Sequence, residues 1–384
     1  MAFFLSSKEI WRNKGRFLLF SLVITLITTL VLFVAALAEG LAQANRQYLE
    51  KLDAELLVFQ ENSDLSPITS RLDRFTLNDI KRVEGVQAAG PIGFASAAIT
   101  FPDGREDVKV SIIGVEPGTP GIPPVLTGNS FTNNRGSDII IDSNTAEAAN
   151  LRVGDTFWLK TIQGNEEEFS DLRVVGLTDG REYQYAPSIF LPYQTWDQVR
   201  PQGDVPAGLV EVTSNVIAVK LTDPQQQAAI TERIQAEVND VEVVDVQTAI
   251  KALPGYSAQQ STLQTQQVFV LLIGILVIGG FFQIQMLQKI PQIGVLKAIG
   301  VTNRSVAWAV VWQIILVTTF GVFLGGMVTM GLAAGIPNIV PVEFSGTSVA
   351  VAVIALLAIG PIGGLVSVRL AVRVEPLIAL GLSQ

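Results

Sequence analysis

The sequence offers few side chains that could carry out chemistry, and it excludes several common kinds of active site. Its 384 residues include no cysteine and no histidine. Zinc sites built from Cys and His, Ser-His-Asp triads and Cys-His dyads therefore cannot form within this chain. The acidic groups Asp103 with Asp107 and Glu166 to Glu168 remain. Because acidic runs in loops are mostly solvated surface, we predict no catalytic residue, no metal site and no bound cofactor.

The chain also lacks a nucleotide-binding motif. No Gly-x-x-x-x-Gly-Lys-Ser/Thr sequence occurs, and the dipeptide Gly-Lys is absent. Without this loop there is no evident cradle for the phosphates of ATP. Any nucleotide that drives this protein must then be bound by a separate subunit, and an enzyme active in its own right is not favoured.

Long apolar blocks predict a membrane protein. Hydrophobic residues make up 49% of the chain and charged residues only 16%. The uncharged blocks exceed the roughly 20 residues needed to cross the hydrocarbon core. We predict four transmembrane helices, at residues 17–40, 268–288, 305–335 and 347–368. The last two contain glycine pairs with the spacing that permits close helix approach, which are Gly321 with Gly325, Gly331 with Gly335, and Gly360 with Gly364.

The distribution of charge predicts the orientation. Residues 1–16, 289–304 and 369–384 together contain nine basic and two acidic residues, whereas residues 39–266 contain 17 basic and 32 acidic residues. Basic residues close to the span ends mark the cytoplasmic side. We therefore expect both termini and the loop at 289–304 inside the cell. The domain at 41–266 and the short loop at 336–346 lie outside, and the acidic composition does not indicate a nucleic-acid partner.

The first span has two alternative interpretations. Ala36-Leu37-Ala38 resembles a signal-peptide cleavage site, but the apolar block is longer than the roughly 7 to 15 residues of a signal peptide. We therefore predict a retained span. Before it, Ser6 and Glu9 have capping-box spacing, which indicates either an interfacial helix within residues 1–16 or an irregular basic flank.

The segments that flank the outer domain predict stalk helices. Residues 41–52 continue the helical pattern of the first span without Gly or Pro, and residues 256–267 lead into the second span. Plain linkers are the alternative. Between them we predict an α/β porter domain in two halves, residues 53–121 and 207–250. A β-rich insertion at residues 122–206 separates the halves.

The cytoplasmic loop carries the most specific pattern. Pro291 suits the first turn of a short helix and Gly300 its C-terminal cap. Ile293, Leu296 and Ile299 recur at spacing three, which predicts one apolar face. Such a helix can lie on lipid or dock into a groove of a cytoplasmic partner.

The segment Gln292-Ile-Gly-Val-Leu-Lys-Ala-Ile-Gly300 resembles the E-I-G-V-L-K-A-I-G coupling-helix motif of the MacB/FtsX class of ABC permeases. It departs from that motif at Gln292, where the family usually has Glu. Trp11-Arg-Asn-Lys-Gly-Arg16 and Glu375-Pro-Leu-Ile-Ala-Leu380 resemble the family's entry and ending. The resemblance covers the full chain, including the order of one span and then three, and is nearest to the DevC-like permeases of cyanobacteria.

This resemblance implies a permease of the inner (plasma) membrane with a periplasmic domain. It implies a homodimer in the lipid bilayer, a separate ABC ATPase subunit that binds ATP, a periplasmic adaptor and a TolC-like outer-membrane channel. The exported substrate would be a lipid or glycolipid. The implied ATPase-contact residues are Gln292, Ile293, Gly294, Val295, Leu296, Lys297, Ala298, Ile299 and Gly300.

Two other functions fit the same features less well. An FtsX-like transmitter would use the same stalks to activate an extracytoplasmic partner without transport. A membrane receptor or scaffold unrelated to ATP would have no reason to place a capped apolar helix in the inner loop.

Overall fold

The computed structural model describes residues 14–101, 104–202, 213–336 and 342–373. Most of the predicted interfacial segment and of the C-terminal tail lies outside these residues. The chain divides into two compact units. One unit, here called the outer unit, is Ala42–Gln259, and the other, the membrane unit, combines Met1–Leu41 with Gln260–Gln384.

The helices and strands follow the apolar runs and their polar boundaries. In chain order the α-helices are α1 (Lys14–Glu50), α2 (Arg74–Arg82), α3 (Ser143–Ala149), α4 (Tyr193–Val199), α5 (Gln227–Glu237), α6 (Val246–Ala252), α7 (Tyr256–Ala298), α8 (Asn303–Ala334) and α9 (Gly346–Arg373). The strands are β1 (Leu56–Gln60), β2 (Val86–Thr100), β3 (Val108–Val115), β4 (Thr127–Gly128), β5 (Asp138–Asp142), β6 (Thr156–Gln163), β7 (Glu166–Thr178), β8 (Ser188–Pro192), β9 (Val216–Leu221) and β10 (Val241–Asp245).

Within the part of the chain that the structure describes, four helices are long and apolar enough to cross a bilayer, as predicted. They are Phe17–Glu50, Tyr256–Ala298, Asn303–Ala334 and Gly346–Arg369. Buried aliphatic and aromatic side chains from all four helices, such as Ile24, Ile278, Ile314 and Leu356, form one core.

Two of the three predicted glycine pairs lie at helix contacts. A Cβ at Gly325 would lie 2.5 Å from Thr28, and one at Gly360 would lie 2.1 Å from Thr318. The pair Gly331 and Gly335 is different, because the space around a Cβ at Gly331 is open within the described residues. Residue spacing permits close approach at all three pairs, but it does not say which face of a helix meets a neighbour.

The outer unit contains a single mixed sheet. Its strand order is β10-β1-β9-β2-β3-β8-β5-β7-β4, with β6 pairing with β2 and β7. Strands β3 with β8 and β5 with β7 are parallel, and the other pairs are antiparallel. Residues 122–206 do contain β4 to β8, but these strands extend the sheet of the porter halves. The predicted insertion is therefore not a separate sheet.

Helices close the faces of this sheet. Ile80 of α2 and Ile230 and Ile234 of α5 are buried against β1 and β9. Helix α4 packs against β2 and β3 through Trp196, whose side chain is 1% exposed. These contacts join residues that are far apart in the chain into one folded unit.

Candidate functional site

The predicted coupling segment is the end of a long helix. Helix α7 continues from Tyr256 through Pro291 to Ala298. The prediction that a separate helix starts at Pro291 is therefore wrong. Proline removes one backbone hydrogen bond, but membrane helices tolerate this loss where neighbouring helices support them. Ile293, two residues later, is buried in the core of the membrane unit and supplies such support.

The end of α7 is capped by a Schellman motif. Gly300 has φ +96°, its amide donates to the carbonyl of Lys297 at 3.0 Å, and the amide of Val301 donates to the carbonyl of Leu296 at 3.1 Å. This pair of bonds is the defining pattern of the motif, and glycine adopts the required left-handed conformation at low cost. Thr302 then caps α8 by accepting a hydrogen bond from the amide of Ser305. The predicted role of Gly300 as a cap is confirmed.

The exposed apolar face of this segment differs from the predicted one. Ile293 is only 6% exposed, whereas Val295 is 47%, Leu296 is 37% and Ile299 is 73% exposed. Val295, Leu296 and Ile299 therefore form the exposed patch, and Ile293 packs into the membrane unit. Spacing three could not separate these alternatives, because the path of the helix decides which side is covered.

The remaining residues of the segment are also divided between a buried side and an exposed side. Gly294 is buried, whereas Gln292, Ala298 and Gly300 are exposed. The ammonium group of Lys297 donates to the carbonyl of Val372 at 2.7 Å, near the end of α9. The segment thus has one side held by the membrane unit and one apolar side open.

A second site, within the outer unit, was not predicted. Residues 179–186, here called the strap, connect β7 to β8 and contact the end of α1. Tyr48 of α1 is fully buried, and its hydroxyl donates to the carbonyl of Gly121 at 2.9 Å. The sequence contained one weak signal, a charged turn Asp179-Gly180-Arg181 followed by two tyrosines.

Charged groups fix the start of the strap. Asp179 accepts hydrogen bonds from Lys51 and Arg181, each at 2.8 Å. Burial opposes ionisation of Asp179, but these two cations outweigh it and lower its pKa to about 2. Arg181 also donates from its guanidinium to the carbonyl of Lys51 at 2.8 Å. The strap is therefore tied to α1 by ionised groups.

A buried carboxyl group, that of Asp142, supports the start of the strap. Asp142 accepts hydrogen bonds from the amides of Thr145 at 2.7 Å and Arg181 at 3.1 Å. Burial raises the pKa of Asp142, and these hydrogen bonds oppose the rise. Among the described residues, no group of three or more acidic side chains is placed to hold a metal ion.

Comparison with known proteins identifies the class to which this architecture belongs. A family model of the MacB-like periplasmic core domain matches residues 17–237, and one of the FtsX-like permease C-terminal region matches residues 267–376. The first match alone covers more than half of the chain. The protein therefore belongs to the MacB/FtsX family of ABC transporter permeases.

Relatives align over nearly the whole chain. A putative hemin transport system permease protein HrtB from Staphylococcus haemolyticus is 26% identical over 98% of this chain and 99% of its own length. An uncharacterized ABC transporter permease from Mycobacterium tuberculosis is 24% identical over 97% of both chains.

Solved structures resemble the outer unit more weakly. The periplasmic region of MacB from Actinobacillus actinomycetemcomitans is 15% identical and covers 52% of this chain and 92% of its own, with a TM-score of 0.37. The extracellular domain of the ABC-type transporter YknZ from Gram-positive bacteria is also 15% identical. It covers 49% of this chain and 98% of its own, with a TM-score of 0.36.

Proposed function

We propose that this permease converts ATP hydrolysis by a separate ATPase subunit into movement of its outer domain, and that this movement drives export. The observation that carries the proposal is the exposed patch of Val295, Leu296 and Ile299 at the capped end of α7. Apolar side chains at the end of a helix suit a groove on a partner protein. Because the chain is an ABC permease without a P-loop, an ATPase subunit is the partner that this patch fits best.

Helix α7 also supports a homodimer. Only 17% of its most apolar stretch is buried within this chain, against 39%, 44% and 35% for the other three spans. A span with so much uncovered surface suits a second copy of the same helix. We propose that α7 forms the centre of the dimer and brings two coupling segments to two ATPase subunits.

The continuous helices support transmission by stalks. Helix α1 extends from Lys14 to Glu50 and α7 from Tyr256 to Ala298, so each contains residues of both units. At about 1.5 Å per residue, each is much longer than the roughly 30 Å hydrocarbon core. Both helices can therefore carry displacement from the cytoplasmic side to the outer unit.

The β6–β7 hairpin supports contact with an adaptor. Trp158, Ile162 and Phe169 are 43%, 60% and 51% exposed. Lys160, which pairs with Phe169 across the strands, lies on the same face as Trp158 and Ile162. Exposed aromatic side chains with a charged rim are typical of protein contacts. We propose this face as the contact for a periplasmic adaptor that leads to a TolC-like channel.

The substrate that fits these relationships is an amphiphile. The relatives named as hemin transport permeases suggest hemin, and the DevC-like resemblance suggests a glycolipid. A chain without His or Cys would leave only Tyr or Met to ligate a haem iron axially. We therefore propose recognition of the apolar body of the substrate, with no requirement for iron ligation.

Replacement of Leu296 by Asp tests the proposal. A charge at the centre of an apolar contact should weaken ATPase binding by about tenfold or more. The measurement is the amount of ATPase subunit that co-purifies with the permease, together with substrate export. Normal export by Leu296→Asp would contradict the assignment of this segment.

Two control variants sharpen this test. Leu296→Met keeps an apolar side chain of similar volume and should retain ATPase binding. Asn303→Asp adds the same charge to an exposed position at the start of α8. Its ATPase binding should also be retained, since no apolar contact is lost. Gly294→Asp is less informative, because Gly294 is buried and the change would disturb the membrane unit itself.

A further inference from the structure

The strap is bonded into the backbone of the first stalk end, which comprises residues 43–50 of α1. The amide of Tyr185 donates to the carbonyl of Ala44 at 2.9 Å, and the amide of Tyr48 donates to the carbonyl of Glu182 at 3.0 Å. In a regular α-helix the amide of Tyr48 and the carbonyl of Ala44 would bond each other. The strap therefore bonds the amide and the carbonyl that would otherwise pair with each other in one turn of α1.

Side chains strengthen this attachment. The carboxamide of Gln47 accepts a hydrogen bond from the amide of Glu182 at 3.1 Å. The Tyr48 ring is buried and packs against the rings of Phe94, Tyr183 and Phe190. Displacement of the first stalk end would break backbone bonds and expose this aromatic cluster. The first stalk end and the strap must therefore move as one body.

The second stalk end, residues 256–259 of α7, is held in a different way. The hydroxyl of Tyr185 donates to the side chain of Gln259 at 2.6 Å, and Arg46 donates to the hydroxyl of Tyr256 at 2.6 Å. The hydrogen bond of the Tyr185 hydroxyl is exposed to solvent, whereas that of the Tyr256 hydroxyl is partly buried and the Tyr256 ring packs against the core of the outer unit. Water can replace such partners at small cost, so these bonds can break and form again readily.

The conformation of the strap supports a mechanical role. Gln184 and Tyr185 have φ of +51° and +63°, and Tyr183 and Ala186 exchange backbone hydrogen bonds around them. This is the pattern of a type I′ turn, which Asn and Gly usually form. A bulky tyrosine in the left-handed region is disfavoured, and such residues cluster at clamps and switches. The turn lets Tyr185 bond the first stalk end through its backbone amide and the second stalk end through its side-chain hydroxyl.

We propose that the strap is a releasable latch. It remains fixed to the first stalk end, and its Tyr185 hydroxyl holds Gln259 of the second stalk end. Arg46 of the first stalk end adds a hydrogen bond to the Tyr256 hydroxyl, and both bonds last until the second stalk end moves. This inference rests on the proposed function, because the stalk movement that function requires is the event that opens the latch.

Distance measurement between two spin labels tests the latch. The chain has no native cysteine, so Glu166→Cys on the β6–β7 hairpin and Ala258→Cys on the second stalk end can be labelled selectively. Two labelled proteins are compared, each as the full chain with its ATPase subunit and without nucleotide. One keeps the native tyrosines, and the other is the double variant Tyr185→Phe with Tyr256→Phe. Loss of both hydroxyls should increase the fraction of molecules whose label-to-label distance differs from the main distance of the native protein. We expect this fraction to rise by a factor of about two to ten.

Tyr193→Phe is the matched control, because it removes a hydroxyl from α4 and should leave the distance distribution unchanged. An identical distribution for the double variant and for Tyr193→Phe would overturn the latch. Failure of the proposed function has a different signature. The double variant would still differ from the control, but addition of ATP would change the label distance in neither protein.

Discussion

Trp196 lies across a gap that two glycines leave in the sheet. Gly93 and Gly114 are paired across β2 and β3, and a Cβ at either position would lie 2.4 Å from the indole ring. Because a tryptophan cannot move away from a packed core at low cost, these glycines determine how α4 sits on the sheet.

Replacement of Gly93 by Ala should destabilise the protein by about 1–3 kcal/mol, because the added methyl group overpacks the site. The measurement is the thermal unfolding midpoint of the full chain in detergent. Combining Gly93→Ala with Trp196→Leu should lower the midpoint by less than the sum of the two single changes. Additive effects would show that the glycine serves another purpose.

Ile293 is the residue at which sequence reasoning failed most clearly. Its spacing from Leu296 and Ile299 predicts a shared face, but only the latter two are exposed. Val295 takes its place on the exposed side. The sequence showed that this segment is rich in apolar side chains, and only the packing of α7 determines which of them are exposed.

At the scale of elements, one glycine pair holds α8 against α1. Thr25 donates to the carbonyl of Gly321 at 3.2 Å and Thr29 to that of Gly325 at 3.3 Å. These bonds require close approach of the two helices, which small residues permit in lipid. The adjacent Gly326 faces open space within the described residues.

Gly325→Ala and Gly326→Ala form a matched pair of variants. Both add one methyl group to the same helix, but only the former would meet Thr28, at 2.5 Å. We expect Gly325→Ala to lower the thermal unfolding midpoint, at a cost of about 1–3 kcal/mol, and Gly326→Ala to leave it nearly unchanged. Equal midpoints for the two variants would refute the predicted contact between α1 and α8.

The strap should respond to pH through Asp179. Its folded-state pKa of about 2 is below the ordinary value of 3.8, so the ionised carboxylate stabilises the fold above about pH 4. That contribution is lost as the pH falls from about 4 to 2. Asp179→Asn should therefore lower the unfolding midpoint at pH 7, and the difference from the native chain should shrink toward pH 2.

The size of this effect is limited by solvent. The Asp179 side chain is 35% exposed, so we expect a contribution below about 1 kcal/mol. Asp197 of α4 forms an ion pair with Arg200, and it offers a control at a carboxylate outside the strap. A difference between Asp179→Asn and the native chain that grows as the pH falls would contradict the assigned direction.

At the scale of the whole molecule, the orientation in the membrane is a prediction from charge. It places Trp158 outside the cell and Ile299 inside. Both side chains are exposed, and the chain has no cysteine that would interfere with labelling. Trp158→Cys should react with a membrane-impermeant maleimide in intact cells, whereas Ile299→Cys should react only after permeabilisation. Reaction of both from the same side would exclude the coupling mechanism.

The sequence by itself determined the membrane spans, the mixed α/β class of the outer unit and the family. Strands β3, β5 and β9 are each a short apolar run between polar or turn-forming residues, a pattern that sequence alone makes visible. The spans were predictable because a bilayer requires long uncharged segments. The coupling motif was readable because its residues are consecutive.

The tertiary structure decided how these pieces are joined. Residues 122–206 share one sheet with the porter halves, and the strap joins Arg181 to Lys51 across 130 positions of the chain. Contacts at that separation depend on the folded path of the backbone, and no local spacing encodes them. Periodicity determines which residues can share a face, and only packing determines which faces are covered.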